Sequence, residues 1–296
     1  MRQFSYSSQR QTEQRNRGST LKRCDNARKS LIAIAAILFL STPAHADFME
    51  GWRAYQRGDF ETALEQWTSL AERGDPVAQY NVGVMYDEGT GVETNVEKII
   101  GWWRKAADQG HRMAQHNLAL LFIERGSGND VQQAVTLLKA AAAVGFTPSQ
   151  HSLGKLYAVG LGVEKDHARA LQLTLRAGKA GFVKSQYSLG KFYRDGVGVE
   201  SDQAESVAWF RRAAEQGYAR AQERLATRYA DGKVVERDLV EALKWATLAA
   251  GRGMSAALEI RTTLLGIMNP EQIVEAERLA EEFRPKDGGH VPARNP

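Results

Sequence analysis

The chain has 296 residues, 43% of them hydrophobic and 25% charged, which is enough apolar material for a packed core and too much for a disordered chain. Its net charge of +4 is unevenly placed: residues 1–46 hold eight basic side chains against two acidic ones, so the remainder carries −2. That distribution excludes a nucleic-acid role argued from overall basicity, because the positive charge belongs to one end.

This end reads as a secretory signal. A basic stretch closes at Arg28-Lys29, an apolar run spans Leu31 to Leu40, and Ala44-His45-Ala46 has the small-x-small form of a cleavage site, which places cleavage after Ala46. The run is well short of the ~20 residues a bilayer span needs. The mature chain is therefore expected to be periplasmic or secreted and not integral to the membrane. The one cysteine, Cys24, falls inside the leader, so the mature chain has neither disulfides nor thiol chemistry.

Beyond the leader a column of glycines dominates. Gly74, Gly110, Gly145, Gly181, Gly217 and Gly253 follow at steps of 36, 35, 36, 36 and 36 residues, a period that marks stacked helical hairpins. Fifteen residues before each stands Asp59, Asn95, Asp130, Asp166, Asp202 or Asp238. These side chains suit helix N-caps, and glycine suits the left-handed position after a helix end. The spacing predicts B helices over 60–73, 96–109, 131–144, 167–180, 203–216 and 239–252. Within them a mostly small column (Ala63, Ile99, Ala134, Ala170, Ser206, Ala242) precedes by three residues a mostly large one (Gln66, Trp102, Leu137, Leu173, Trp209, Trp245). That pairing predicts close helix packing, with the tryptophans in the core and not serving as sugar platforms.

An A helix precedes each of the later five B helices. Its phrase runs from Ala78 to Tyr86, Ala114 to Phe122, Ser149 to Tyr157, Ser185 to Tyr193 and Ala221 to Tyr229. Gly83, Gly154 and Gly190, with Ala119 and Ala226 in the same column, indicate a steric demand for smallness, since mid-helix glycine costs up to ~1 kcal/mol against alanine. The A–B loops carry Gly89 and Gly91, Gly160 and Gly162, and Gly196 and Gly198 as positive-φ turn residues. The second loop is one residue shorter, which predicts a different turn there. Residues 47–76 read as a shorter N-terminal hairpin, 255–284 as capping helices with Asn269 capping and Pro270 at the first helical position, and 285–296 as a flexible tail.

The phrases AQYNVGVMYDEGTGV–WWRKAADQG and SQYSLGKFYRDGVGV–WFRRAAEQG resemble the Sel-one-like repeat family, relatives of tetratricopeptide repeats. The resemblance covers residues 77–254 as five repeats, and residues 47–76 are similar to a tetratricopeptide hairpin. It implies an all-α fold, a right-handed α-solenoid of stacked antiparallel hairpins of about 36 residues, and a role as adaptor, assembly factor or regulator. Some small exported members are linked to β-lactam binding, but those are rich in cysteine and this chain is not.

No catalytic signature stands out: the mature chain lacks H-E-x-x-H, a Cys pair and G-x-S-x-G. His111 and His116 are five apart, which does not align two metal ligands on a helix face. Neither a metal nor a cofactor is expected. The column that varies in chemistry holds Tyr80, His116, His151, Tyr187 and Glu223, with Lys155, Lys191 and Arg194 nearby. In tetratricopeptide-like stacks the A helices line the concave face, so Tyr80, His116, His151, Tyr187, Lys155, Lys191 and Arg194 are the candidates for a partner-binding groove. The same column is also what inter-repeat packing would use. The function expected is a non-catalytic scaffold for a protein or peptide partner, acting on an envelope sensor or in envelope polysaccharide assembly, with no nucleic-acid partner. An enzyme or small-molecule binder for cell-wall material is the alternative, resting on the Tyr/His column and on acids such as Glu88, Asp195 and Asp231.

Overall fold

The computed structural model describes residues 43–287; the leader lies outside them apart from residues 43–46. Among the described residues every regular element is an α-helix: α1 Pro43–Gln56, α2 Phe60–Glu72, α3 Pro76–Glu88, α4 Val96–Asp108, α5 Arg112–Arg125, α6 Gly128–Ala143, α7 Thr147–Val159, α8 His167–Lys179, α9 Val183–Asp195, α10 Gln203–Glu215, α11 Ala219–Asp231, α12 Leu239–Ala250, α13 Ser255–Leu265 and α14 Pro270–Glu281. The odd-numbered helices are A helices and the even-numbered ones B helices. The point after Ala46 thus falls within the first turn of α1.

From α1 to α13 each helix packs on its chain neighbours, A on B within a hairpin and B on the A helix that follows. At the C-terminal end second neighbours also pack, α11 with α13 and α12 with α14. Such nearest-neighbour contact defines a solenoid.

Helix boundaries follow local chemistry. The side chains of Asp59, Asn95, Asp166, Asp202 and Asp238 accept from the backbone N–H three residues on, as N-caps do. The closing glycines Gly74, Gly110, Gly145, Gly181, Gly217 and Gly253 all have positive φ. Asp130 departs from the pattern. With one residue missing from the preceding loop, α6 starts early and Ser127 is the cap, accepting from the Asp130 N–H. Asp130 instead sits buried in the first turn, where Arg125 Nε reaches its carboxylate at 3.2 Å. Asn269 and Gln272 close α14 in a reciprocal capping box, with Pro270 in the first turn.

The small column of the A helices has a direct cause. A Cβ on Gly83 would lie 2.3 Å from Trp103 Cδ1, and one on Gly190 would lie 2.5 Å from the Phe210 ring. One on Gly154 would meet Thr174 Oγ1 at 2.9 Å. The knob facing the gap is therefore the column Trp67, Trp103, Leu138, Thr174, Phe210 and Ala246, all buried. This corrects the expected register by one: Gln66, Trp102, Leu137 and Leu173 lie half-exposed beside it, and only Trp209 and Trp245 of that column are buried. Where the A helix carries alanine (Ala119, Ala226), the residue in register is the smaller Leu138 or Ala246.

The second glycine of each G-x-G loop serves a different approach. A Cβ on Gly91 would come within 2.5 Å of Phe60, one on Gly162 within 2.5 Å of Val131, and one on Gly198 within 2.3 Å of the His167 carbonyl oxygen. Each loop thus docks on the first turn of the B helix of the preceding hairpin, closer than any side chain allows.

Candidate functional site

The varying A-helix column forms a seam between repeats. Tyr80 is 5% exposed; its ring lies 4.8 Å from that of His111, and its hydroxyl accepts from Asn117 Nδ2 at 3.1 Å. His116 is also 5% exposed, with Nδ1 3.0 Å from Ser149 Oγ and its ring against Phe146. His151 repeats this arrangement with Ser185 Oγ at 3.0 Å and Phe182. Tyr187 packs on Phe210 and Tyr218. Asn117, Ser149 and Ser185 each lie on the next A helix and Tyr218 is the N-cap residue of the next one, so the column stitches A helices together, while Phe210 ties Tyr187 to the B helix of its own hairpin. Burial raises the Tyr80 hydroxyl's pKa. Burial, followed by neighbouring lysines, holds His116 at about 4 and His151 at about 3. These rings are neutral packing groups at pH 7.

Tyr80 and His116 therefore do not line a groove, because their polar atoms and ring faces are already used between repeats. Of the other expected groove residues, Lys155 is exposed, Lys191 lies over the Tyr187 ring with Nζ 5.7 Å from its centroid, and Arg194 is held in a two-point bond by the adjacent Asp195 at 2.7 Å. The acids behind the enzyme alternative sit apart. Glu88 accepts from Tyr55, Asp195 pairs with Arg194, and Asp231 lies near Arg228. Among the described residues no three His, Cys, Asp or Glu side chains converge as a metal site requires.

Another column went unread in the sequence. Gln79, Gln115, Gln150, Gln186 and Gln222 are buried, and each Nε2 donates to a carbonyl near the end of the preceding B helix: Ala71, Ala107, Ala142, Gly178 and Ala214, at 3.0–3.3 Å. Each of these carbonyls also accepts from the closing glycine's N–H, so the glutamine adds a second donor at a helix end that lacks its i+4 partner. The signal was present as a Gln five residues after each of the first five closing glycines.

Two open concavities lie between consecutive B helices. One, of about 320 Å³ between α4 and α6, is walled by Arg104, Asp108, Gln133 and Leu137, with Leu118 and Phe122 as its floor. The other, of about 810 Å³ between α6 and α8, is walled by Lys139, Lys165 and Arg169 over Tyr157. In both, the aromatic ending the A-helix phrase meets a cation. Arg104 stands over Phe122 at 5.7 Å, and Arg169 donates to the Tyr157 hydroxyl at 3.2 Å. Lys98 with Tyr86 and Arg211 with Tyr229 repeat the pairing in other hairpins. Such surfaces offer flat apolar area beside fixed charge, the composition of contact sites between proteins.

The Sel1 repeat model matches residues 76–111, 112–146, 147–182, 183–218 and 219–254. The chain is 40% identical over 132 residues to the mouse and rat proteins called DAP3-binding cell death enhancer 1, a stretch covering 44% of this chain but 26% of each relative. Among solved structures, c5321, a protective antigen of uropathogenic Escherichia coli with an SLR fold, superposes with TM-score 0.72 at 28% identity over 81% of this chain and 53% of that one. A Sel1 repeat protein of Oxalobacter formigenes gives 0.67 at 28% identity over 81% and 73%.

Proposed function

Because this chain belongs to the Sel1 repeat family, whose members generally mediate protein–protein interaction and are generally non-catalytic, we propose that it is an exported, non-catalytic scaffold in the bacterial envelope. The observation that carries the reading is the division of labour in each repeat. The A-helix column is engaged in packing, while the B-helix side keeps open grooves with aromatic floors and walls that carry both cations and acids. Export rests on the leader, with its basic stretch, apolar run and Ala44-His45-Ala46. Among the described residues no helix is long and apolar enough to cross a membrane. A role beside an envelope sensor or in envelope polysaccharide assembly places the partner in the same compartment.

Crosslinking and capture from envelope fractions tests this. The scaffold reading expects a discrete protein that is lost when groove residues Arg104 and Arg169 are replaced together by Glu. Capture of nothing by folded protein would refute it. Processing is tested separately by N-terminal sequencing of the exported chain, which should begin at Asp47.

A further inference from the structure

The chain displays one of its own grooves filled. After α14 the chain leaves helical structure and turns back across α12 and α10. Phe283 sets its ring edge-on to Trp245, with centroids 5.5 Å apart, and packs on the cluster that includes Val207, Phe210 and Ala246. Three residues on, the Lys286 N–H donates to the Glu215 carbonyl at 2.8 Å. Its ammonium group pairs with the Glu215 carboxylate, also at 2.8 Å. Pro285 between them excludes a helix. The segment thus reads the groove with an aromatic in an apolar notch, a main-chain bond to the exposed end of a B helix, and a cation on an acid.

The repeat register translates that site elsewhere. Glu215 stands two residues before its closing glycine and Trp245 eight before the next. The same offsets give Asp108 and Leu137 in the α4–α6 groove, both of which line its 320 Å³ concavity. Leu118 and Phe122 replace Leu225 and Tyr229 below it. Asp108 is exposed and forms no ion pair among the described residues. Between α2 and α4, Glu72 and Trp102 hold the same offsets, with Lys105 Nζ over the Trp102 ring at 4.2 Å as Lys244 Nζ lies over Trp245 at 4.6 Å, whereas the α4–α6 groove has an open concavity at these positions. The next two grooves lack the acid. Between α6 and α8 the acid is replaced by Ala143, and between α8 and α10 by Lys179, which repels a cation.

We infer that the α4–α6 groove binds an extended segment of a partner protein carrying an aromatic residue followed three positions later by Lys or Arg, seated as Phe283–Lys286 is seated between α10 and α12. This rests on the scaffold reading and gives it a place and a motif. The aromatic would fill the notch at Leu137 and Phe122, and the cation would meet Asp108. Such an anchor-plus-charge arrangement concentrates binding in a few side chains.

The probe is a fluorescein-labelled peptide of residues 281–288, EEFRPKDG, titrated by anisotropy into the full chain. The expected result is saturable one-to-one binding, weakened at least about ten-fold by replacing the peptide's Phe with Ala or its Lys with Glu, as hot-spot truncations do. Asp108→Lys should weaken it similarly and lessen its salt dependence, while Glu215→Lys should leave it unchanged. Asp108 is exposed, so that variant should fold, as circular dichroism would verify. Binding that falls with Glu215→Lys and not with Asp108→Lys would mean that the peptide merely displaces the chain's own tail, and would overturn the assignment. No saturable binding would overturn it as well. Dimerisation of the full chain lost on Phe283→Ala would replace the partner by a second copy. None of these outcomes bears on capture of an envelope protein, so failure of the groove and failure of the scaffold reading can be told apart.

Discussion

Acid should loosen the seam between A helices, and the effect can be sized from His116 and His151. Burial is the first cause of their low pKa values, with Lys184 beside His116 and with Lys155, Lys184, His116 and Lys191 around His151. Each ring is neutral when folded, near 4 or 3, but titrates near 6.5 when released. A folded value below the unfolded one means that the stability is present above pH 6.5 and declines as pH falls from there, levelling off once the folded rings themselves protonate. At pH 5 the gap to the unfolded value gives about 2 kcal/mol per ring at ~1.36 kcal/mol per unit, or about 4 kcal/mol for the pair. Urea unfolding followed by circular dichroism at pH 7 and pH 5 measures it against a His116→Asn/His151→Asn double variant. The asparagine carbonyls can still accept from Ser149 and Ser185 but do not titrate. The parent should lose about 4 kcal/mol more than the variant across this interval. Equal losses would show that these histidines are not held neutral by burial and would refute the reasoning.

Three further outcomes follow from packing and capping. Gly190→Ala should destabilise by about 1–3 kcal/mol through the Phe210 contact, and Phe210→Leu in the same chain should recover part of it, since Ala119 faces Leu138 naturally; thermal melts of the four proteins of that cycle measure the coupling. Gln186→Leu should cost about 1 kcal/mol, because it removes the side-chain bond to the Gly178 carbonyl and leaves only the backbone donors there, read as a lower urea midpoint. Asp202→Ala should cost about 1 kcal/mol by removing the cap on α10, while Asp130→Ala should act through loss of the Arg125 pair and not through a cap, so charge reversal at Arg125 should change the Asp130→Ala cost and leave that of Asp202→Ala unaltered in the same melts.

Features written in single residues with one physical role could be read from the sequence. A glycine at positive φ or an aspartate at an N-cap leaves an unambiguous mark, and so the period, the helix ends and the turns came out together. Asp130 misled because the missing residue lay upstream of it, and a cap is defined by where the helix begins rather than by residue type. The knob column was misplaced by one because Trp102 and Trp103 are equally large, and only the gap at Gly83 decides which one enters. The A-helix tyrosine and histidines looked like contact residues because amphipathic rings suit interfaces. Their interface is with the next repeat of the same chain, which composition cannot tell from an interface with another protein. The grooves escaped notice because they depend on two B helices about 36 residues apart.

The glutamine column also sets where the array can grow. Each glutamine bonds backward, to the hairpin before its own, and the position that would continue the series after α12 holds Leu258, which is 53% exposed. A copy of residues 183–218 inserted between 218 and 219 would bring its own connection to its predecessor and offer its own equivalent of the Ala214 carbonyl to Gln222. The link from α13 back to α12 lacks such a donor, so the molecule is built to extend from within, and engineered length variants should differ by whole interior units.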